Sequence, residues 1–465
     1  MNKDPLAPIR NGEPLSRKQQ FRLIWQLSTP AIMAQTTSVI LSYADASMVG
    51  RLGAGPSASI GLVTSTTWLI GGLCTAAASG YTVQVAHATG GKDYRQARIL
   101  VRHGILVALA FGLLLMAAGL AISKSLPVWL GGEEAIRPAA TAYFAILAMG
   151  LPLQIMNYVA GGMLQCSGNM TVPAILNTLT CIWNLILNAV LIFPTGTFRF
   201  SGWRIPGAGL GVRGAAAATI LSEGLSGLLM LYFLLFRSGL LHLRKGEHAP
   251  FTAAELKKCA VIAVPQAFES VITGSAYVAF TAIVAPLGTI AIAANSFSIT
   301  AESLCYMPGY GIGIAATTLI GQSYGAGRRE LTRKFSWFLV GIGAIVMAVM
   351  GGLMYILAPQ MIALLSPDPQ VQALGTAVLR IEAFAEPLYG ASIVAGGILK
   401  GLGDTLSSSL LNLVSMWAVR IPLAALLSRR MGLKGAWTAM CIELCVRGSL
   451  FLLRLKIKYK KEDKA

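Results

Sequence analysis

The chain has 465 residues, 55% of them hydrophobic and 12% charged, with a net charge of +18 and a mean hydropathy of +0.65. Charge this sparse excludes an ordinary soluble globular protein of this length. The apolar residues run in blocks of about 20, the length needed to cross a bilayer.

In chain order, a polar and basic stretch over 1–20 comes first, and the apolar segment after Phe21 is too long for a signal-peptide core. Membrane-crossing helices are expected near 21–49, 57–80, 101–123, 137–163, 172–194 and 208–236. A polar, basic loop over 237–256 follows. A second series is expected near 257–285, 292–320, 335–358, 373–399, 408–428 and 433–454, ending in a basic tail over 455–465. The seven cysteines show neither zinc-ligand spacing nor CxxC and read as small packing residues.

With both termini in the cytoplasm, 25 of the 37 basic residues fall in inner segments and nine in outer ones. Inner loops retain Lys and Arg during insertion, so the asymmetry predicts a multi-pass protein of the plasma (cytoplasmic) membrane in that orientation. The positive charge is then a topology signal, and no nucleic-acid partner is expected.

An internal repeat is legible. Pro152-Leu153, Val159-Ala-Gly-Gly-Met-Leu164 and Gly168 recur 235 residues later as Pro387-Leu388, Val394-Ala-Gly-Gly-Ile-Leu399 and Gly403. The same shift carries Pro30 onto Pro265 and Leu52-Gly53 onto Leu287-Gly288. Two lobes of six helices are therefore expected, 21–236 and 257–454, joined by the loop. An even number of spans makes them parallel repeats. The fold class is all-α integral membrane, twelve transmembrane helices as two six-helix bundles around a central cavity. Pro30 and Pro265 bend their helices and are candidate hinges.

Ionisable groups inside spans are costly and mark function. Asp45 stands in the outer part of the first helix, and Asn184 and Asn188 share one face of the fifth. One carboxylate with amide carbonyls suits a hard cation such as Na⁺, or a supported proton. The 235-residue shift places Phe280, Val419 and Leu423 at the matching positions, so the second half has lost the whole set. The first half is expected to hold the coupling-ion site, with Asp45 as its charged ligand. In the second half Glu269, Glu302, Glu382, Glu386 and Arg420 are intramembrane charges. Arg420 is expected to pair with Glu269 or Glu302, as a structural ion pair or as part of a substrate or proton site that includes Glu386 and Tyr389. Glu443 and Arg447 read as a local helix pair, and Glu223 has no assignment. Absence of a GxxxxGK[ST] loop and of catalytic His, Cys or Asp spacing argues against an ATP-driven pump and an enzyme, and no cofactor is expected.

These residues resemble the multidrug and toxic compound extrusion (MATE) exporters over about Leu27 to Leu452. The resemblance is carried by Pro30 with Tyr43-Ala-Asp45, Gly50-Arg-Leu-Gly53 and Asn184-Leu-Ile-Leu-Asn188. In the second half it is carried by Gly313-Ile-Ala-Ala-Thr-Thr-Leu-Ile-Gly-Gln322, Gly325-Ala-Gly327 and Leu399-Lys-Gly-Leu-Gly-Asp404. It implies antiport of small organic, often cationic compounds against transported Na⁺ or H⁺, and a coupling role for Asp45, Asn184 and Asn188. Two helix acids of sodium-coupled members fall at Tyr389 and near Thr273, with Glu386 and Glu269 the nearest carboxyls. The chain thus looks closer to members working mainly through the first half. Two halves enclosing a cavity suffice within a monomer in the lipid bilayer. A lipid-linked flippase of the same superfamily, and a non-transporting scaffold or receptor, are the alternative readings.

Overall fold

The structure is a computed structural model that describes residues 5–195, 199–200, 203–204, 207–244, 247 and 250–462, without the side chains of 41–44, 46, 54, 199–200, 203–204 and 461–462. Of the expected inner basic residues, Lys3, Lys245 and Lys464 lie outside the described residues.

A short helix α1 (Ala7–Arg10) precedes α2 (Arg17–Gly50), α3 (Ala54–Gly90), α4 (Tyr94–Ile122), the single turn α5 (Leu126–Trp129), α6 (Arg137–Cys166) and α7 (Thr171–Ile192). A two-residue hairpin, β1 (Arg199–Phe200) and β2 (Trp203–Arg204), leads to α8 (Val212–Tyr232), which ends in a π turn, Phe233–Arg237. Then come α9 (Ala253–Val284), α10 (Thr289–Gly325), α11 (Arg329–Leu365), α12 (Pro369–Glu382), α13 (Glu386–Gly401) and α14 (Thr405–Leu413). A π segment (Val414–Arg420) joins α14 to α15 (Ile421–Met431), and α16 (Leu433–Glu462) closes the chain.

Among the described residues ten helices are each long and apolar enough to cross a membrane. The 34-residue α2 and the broken pair α12–α13 supply two more, so the chain is an all-α membrane protein of twelve spans. Several helices outrun the apolar blocks: α3 continues to Gly90, α11 starts at Arg329, and α16 continues through the basic tail to Glu462. Two of the helix ends are capped or tethered by polar groups. Asp93 Oδ1 caps α4 by accepting the Gln96 amide at 2.9 Å. The tail of α16 is held by Asp404, which accepts Arg454 at 2.6 Å and Lys458 at 3.3 Å, and by a 2.6 Å bond between Tyr459 and Ser336. Burial raises the Asp404 carboxyl, but Ser407 and the two cations outweigh it and hold it below the usual carboxylate range.

The repeat is visible in the backbone. Gly168 and Gly403 open the turns before α7 and α14 with φ of 99° and 76°, a region costly for any residue with a Cβ. The repeated proline acts differently in the two halves. Pro152 lies inside an unbroken α6, whereas its counterpart Pro387 sits in the first turn of α13, after the interruption at 383–385. A proline has no N–H to give to the preceding turn, so the helix kinks or restarts there.

Packing divides the chain into two compact units. One comprises 37–89 and 93–263, and its core includes Val85, Leu100, Val101, Met156, Val159, Met163 and Leu164. Within it the linker after α8 is fastened down. Glu247 receives Arg98 through two bonds of 2.5 and 2.6 Å, and that guanidinium holds its carboxyl below the usual range. His103 meets Glu255 at 2.7 Å and stacks on Phe251 at 4.0 Å.

The other unit comprises 1–36, 90–92 and 264–465. Its core includes Met347, Met354, Val378, Leu379, Leu444 and the fully buried Trp437, whose indole donates to Asn295 at 2.9 Å. Here α13 lies directly against α10. A Cβ at Gly397 would stand 2.3 Å from the Gly313 carbonyl oxygen, and Thr317 Oγ1 donates to the Gly397 carbonyl at 2.9 Å. Gly397→Ala is expected to lower stability by about 1–3 kcal/mol, because backbone cannot yield as a flexible side chain can. Thermal unfolding of the purified protein in detergent checks this.

Candidate functional site

In the unit containing 37–89 and 93–263, three helices bring a polar chain together. The i,i+4 spacing sets Asn184 and Asn188 on one buried face of α7, each 2% exposed. Asn188 Nδ2 donates to Asp45 Oδ1 at 2.6 Å and to Asn184 Oδ1 at 2.8 Å, so both its amide hydrogens are engaged. Asn184 Nδ2 in turn donates to Ser222 Oγ at 3.2 Å and reaches Thr219 Oγ1 at 3.5 Å, both on α8. The hydroxyls are themselves held by α8 carbonyls: Thr219 donates to Ala215 and Ser222 to Thr219. Each donor orientation therefore fixes the next.

This order leaves one atom without a role. Asn188 Oδ1 is buried and has no hydrogen-bond partner among the described residues. An orphaned buried carbonyl costs about 1–3 kcal/mol.

The sequence brought Asp45, Asn184 and Asn188 forward and left Glu223 unassigned, but did not mark Thr219 or Ser222. Serine and threonine are frequent in membrane helices, so their type gives no signal. Glu223 follows Ser222 on α8, and Gln154 of α6 lies close enough to act on its carboxyl. Tyr143 lies within electrostatic reach of both Asp45 and Glu223. The previously unassigned acid thus belongs to the surroundings of the same site.

The second-half charges form three groups. Glu269 on α9 accepts Asn412 Nδ2 at 2.7 Å and Ser409 Oγ at 3.1 Å. Ser409 Oγ also lies 2.7 Å from the Pro265 carbonyl, an alternative acceptor for its one hydrogen. Glu302 of α10 and Glu382 and Glu386, which flank the break between α12 and α13, are 6%, 0% and 1% exposed. They lie in one neighbourhood, close enough to act on one another electrostatically, and the fold holds them there against like-charge repulsion. None of the carboxyl oxygens of Glu382 and Glu386 has a hydrogen-bond partner among the described residues. Gly351 of α11 makes room, since a Cβ there would stand 2.9 Å from that of Glu386. Tyr389 stands near this cluster with its ring 5.8 Å from Tyr306, which is 5.8 Å from Tyr310.

The expected partner of Arg420 requires correction. Its guanidinium bonds Glu443 Oε2 through Nε at 2.9 Å and Nη2 at 2.7 Å, and forms no ion pair with Glu269 or Glu302. Arg447 Nε takes the other oxygen of Glu443 at 2.8 Å, so the local helix pair is present and shared. The cause is the π segment that ends at Arg420. Its wider turns re-aim the side chains that follow, and the regular helix α7 in the first half has none. Arg420 still exerts an electrostatic influence on Glu302.

Twelve apolar spans with fixed polar chains and buried acids inside them define a polytopic helical membrane transporter. The chain belongs to the MatE family, whose model matches residues 30–190 and 265–426. A relative named probable multidrug resistance protein NorM, from Thermotoga maritima, is 27% identical over 434 residues, covering 92% of this chain and 90% of the relative. A protein named FAD transporter, from Shewanella oneidensis, is 27% identical over 436 residues and 92% of each chain. A crystal structure of a MATE transporter in complex with MaL6 matches the fold with a TM-score of 0.90 over all of both chains, at 20% identity.

Proposed function

We propose that the protein is a secondary active exporter of the inner membrane that antiports small organic compounds against Na⁺ or H⁺ by alternating access. The observation that carries this reading is the chain Ser222–Asn184–Asn188–Asp45 with its orphaned carbonyl. Asp45 receives the coupling cation. As Na⁺, the ion would take hard oxygen ligands from the Asp45 carboxylate and Asn188 Oδ1. As H⁺, it would neutralise Asp45 and turn an acceptor into a donor. Either change gives the ion different binding free energy in two conformations, which is what coupling requires.

Glu302, Glu382 and Glu386 with the tyrosines around Tyr389 supply negative charge and aromatic faces, a combination that attracts organic cations. A flavin dinucleotide, the cargo in the name of the Shewanella relative, would bring phosphates toward these acids, so a cationic cargo is favoured. Glu269 and Arg420 hold the frame around this region. Pro30 and Pro265 serve as hinges; the division between the compact units falls between residues 263 and 264, beside Pro265. Both termini are cytoplasmic, the two lobes follow the chain halves 21–236 and 257–454 with 21–36 and 90–92 packed into the second unit and 257–263 into the first, and a monomer suffices.

The test is efflux of a fluorescent organic cation from proteoliposomes under separate Na⁺ and H⁺ gradients. Efflux driven by one of them is the expected result. A folded protein that moves the dye under neither gradient, but moves lipid-linked substrates, would replace this reading with the flippase.

A further inference from the structure

Beyond its 25 inner and nine outer basic residues, the chain has three within its spans: Arg380, Arg420 and Arg447. The last two share Glu443, whereas Arg380 has no carboxylate partner among the described residues, and the transport reading gives it no role. Arg380 lies on α12 two residues before the fully buried Glu382, so it points to the opposite side of the helix and is exposed. Its Nε donates to the Tyr355 carbonyl of α11 at 3.3 Å, and its guanidinium carbon stands 5.3 Å from the centre of the Tyr355 ring. Phe384 meets the same ring in a T-shaped contact at 5.8 Å. No acceptor among the described residues takes the hydrogens of the two Nη atoms.

Two exposed aromatic residues of α11 set the depth of this arginine. Trp337 and Tyr355, 41% and 43% exposed, lie about 27 Å apart along the helix, close to the ~30 Å thickness of the hydrocarbon layer. Such side chains collect at both boundaries of that layer. Between them Ile345, Val349 and Leu353 are exposed, as lipid-facing residues are. Tyr355 and Arg380 therefore stand where hydrocarbon meets headgroups, on the side of the turn between α11 and α12.

We infer that Arg380, Tyr355 and Phe384 form a binding site for the phosphodiester of an anionic glycerophospholipid. A guanidinium keeps its charge at the edge of the hydrocarbon, where a charge needs a partner, and its planar fork of donors fits two oxygens of one phosphate. The Tyr355 carbonyl holds Nε and the ring lies within cation–π distance, so the guanidinium is oriented before the lipid arrives and its Nη donors are left for the phosphate. Phe384, 73% exposed, offers an apolar surface to the glycerol and the first acyl carbons. A zwitterionic lipid carries its own cation, which competes with Arg380 for the phosphate, so phosphatidylglycerol is favoured over phosphatidylcholine.

The test is native mass spectrometry of the detergent-purified full chain with dioleoylphosphatidylglycerol or dioleoylphosphatidylcholine. The wild type is expected to retain the phosphatidylglycerol preferentially. Arg380→Gln should weaken that retention about fivefold, the worth of one basic residue near a membrane surface, and leave phosphatidylcholine unchanged. Tyr355→Leu keeps every charge and removes the ring beside the guanidinium, and should weaken retention about two- to fivefold. Both side chains are exposed, so neither variant should lower the unfolding temperature. Equal retention of the two lipids by the wild type would overturn the inference. So would undiminished phosphatidylglycerol retention in either variant, or displacement of the lipid by millimolar glycerol 3-phosphate, which would reduce the site to one for free phosphate.

Discussion

Asp45→Asn is expected to abolish ion-driven efflux while leaving the protein folded. The substitution keeps size and shape, and an asparagine oxygen still accepts the Asn188 amide that now lies 2.6 Å from Asp45 Oδ1. What disappears is the charge, and with it the difference in cation affinity between conformations; a ligand without such a difference shifts no equilibrium. Dye movement under the active gradient should fall to the level of empty liposomes, with an unchanged unfolding temperature. Asn188→Ala should behave differently. It removes Asn188 Oδ1, the proposed Na⁺ ligand, a contact to a charged group worth about 1.5–3 kcal/mol. The Na⁺ concentration for half-maximal efflux should therefore rise about 10- to 150-fold, with maximal efflux recovered at saturating ion. Under a proton gradient the sign reverses, because the lost amide had stabilised the ionised Asp45, and half-maximal efflux should come at a lower proton concentration. Ion-dependent efflux persisting in Asp45→Asn would move coupling to Glu302, Glu382 and Glu386.

The contrast between these variants follows from what the sequence could and could not reveal. Asp45, Asn184 and Asn188 were legible because buried polar groups in apolar spans are rare and the internal repeat supplies a control lacking them. Their order as donors and acceptors was not legible. It depends on Thr219 and Ser222, residues of unremarkable type on a helix far along the chain. The spans were legible from hydropathy, but the break at 383–385 was not. The proline responsible recurs in the first half, where Pro152 lies in an unbroken helix. Local sequence is the same there, and packing decides the outcome. The π segment before Arg420 is likewise invisible to an analysis built on a 3.6-residue period. For this reason sequence alone pairs Arg420 with acids on α9 and α10, while Glu443 reads as the neighbour of Arg447.

That corrected pairing carries the second large effect. Glu443 is fully buried and holds two guanidiniums, Arg420 at 2.7 and 2.9 Å and Arg447 at 2.8 Å. Glu443→Gln would leave both cations in a low-dielectric interior with no anion between them. Breaking a buried pair from one side costs about 3–5 kcal/mol, against a typical total of about 5–15 kcal/mol for a folded protein. Loss of folded protein is therefore the expected result, seen as a lowered unfolding temperature and aggregation in detergent. Replacing all three, as Arg420→Met, Glu443→Leu and Arg447→Met, removes the charges together, and should restore much of the stability because no ion is left unpaired. Transport by that triple variant then separates structure from function. Gradient-driven efflux in it would assign the triad to holding α16 against the π segment. A stable but inactive triple variant would place these charges in the transport cycle, acting on Glu302 through Arg420.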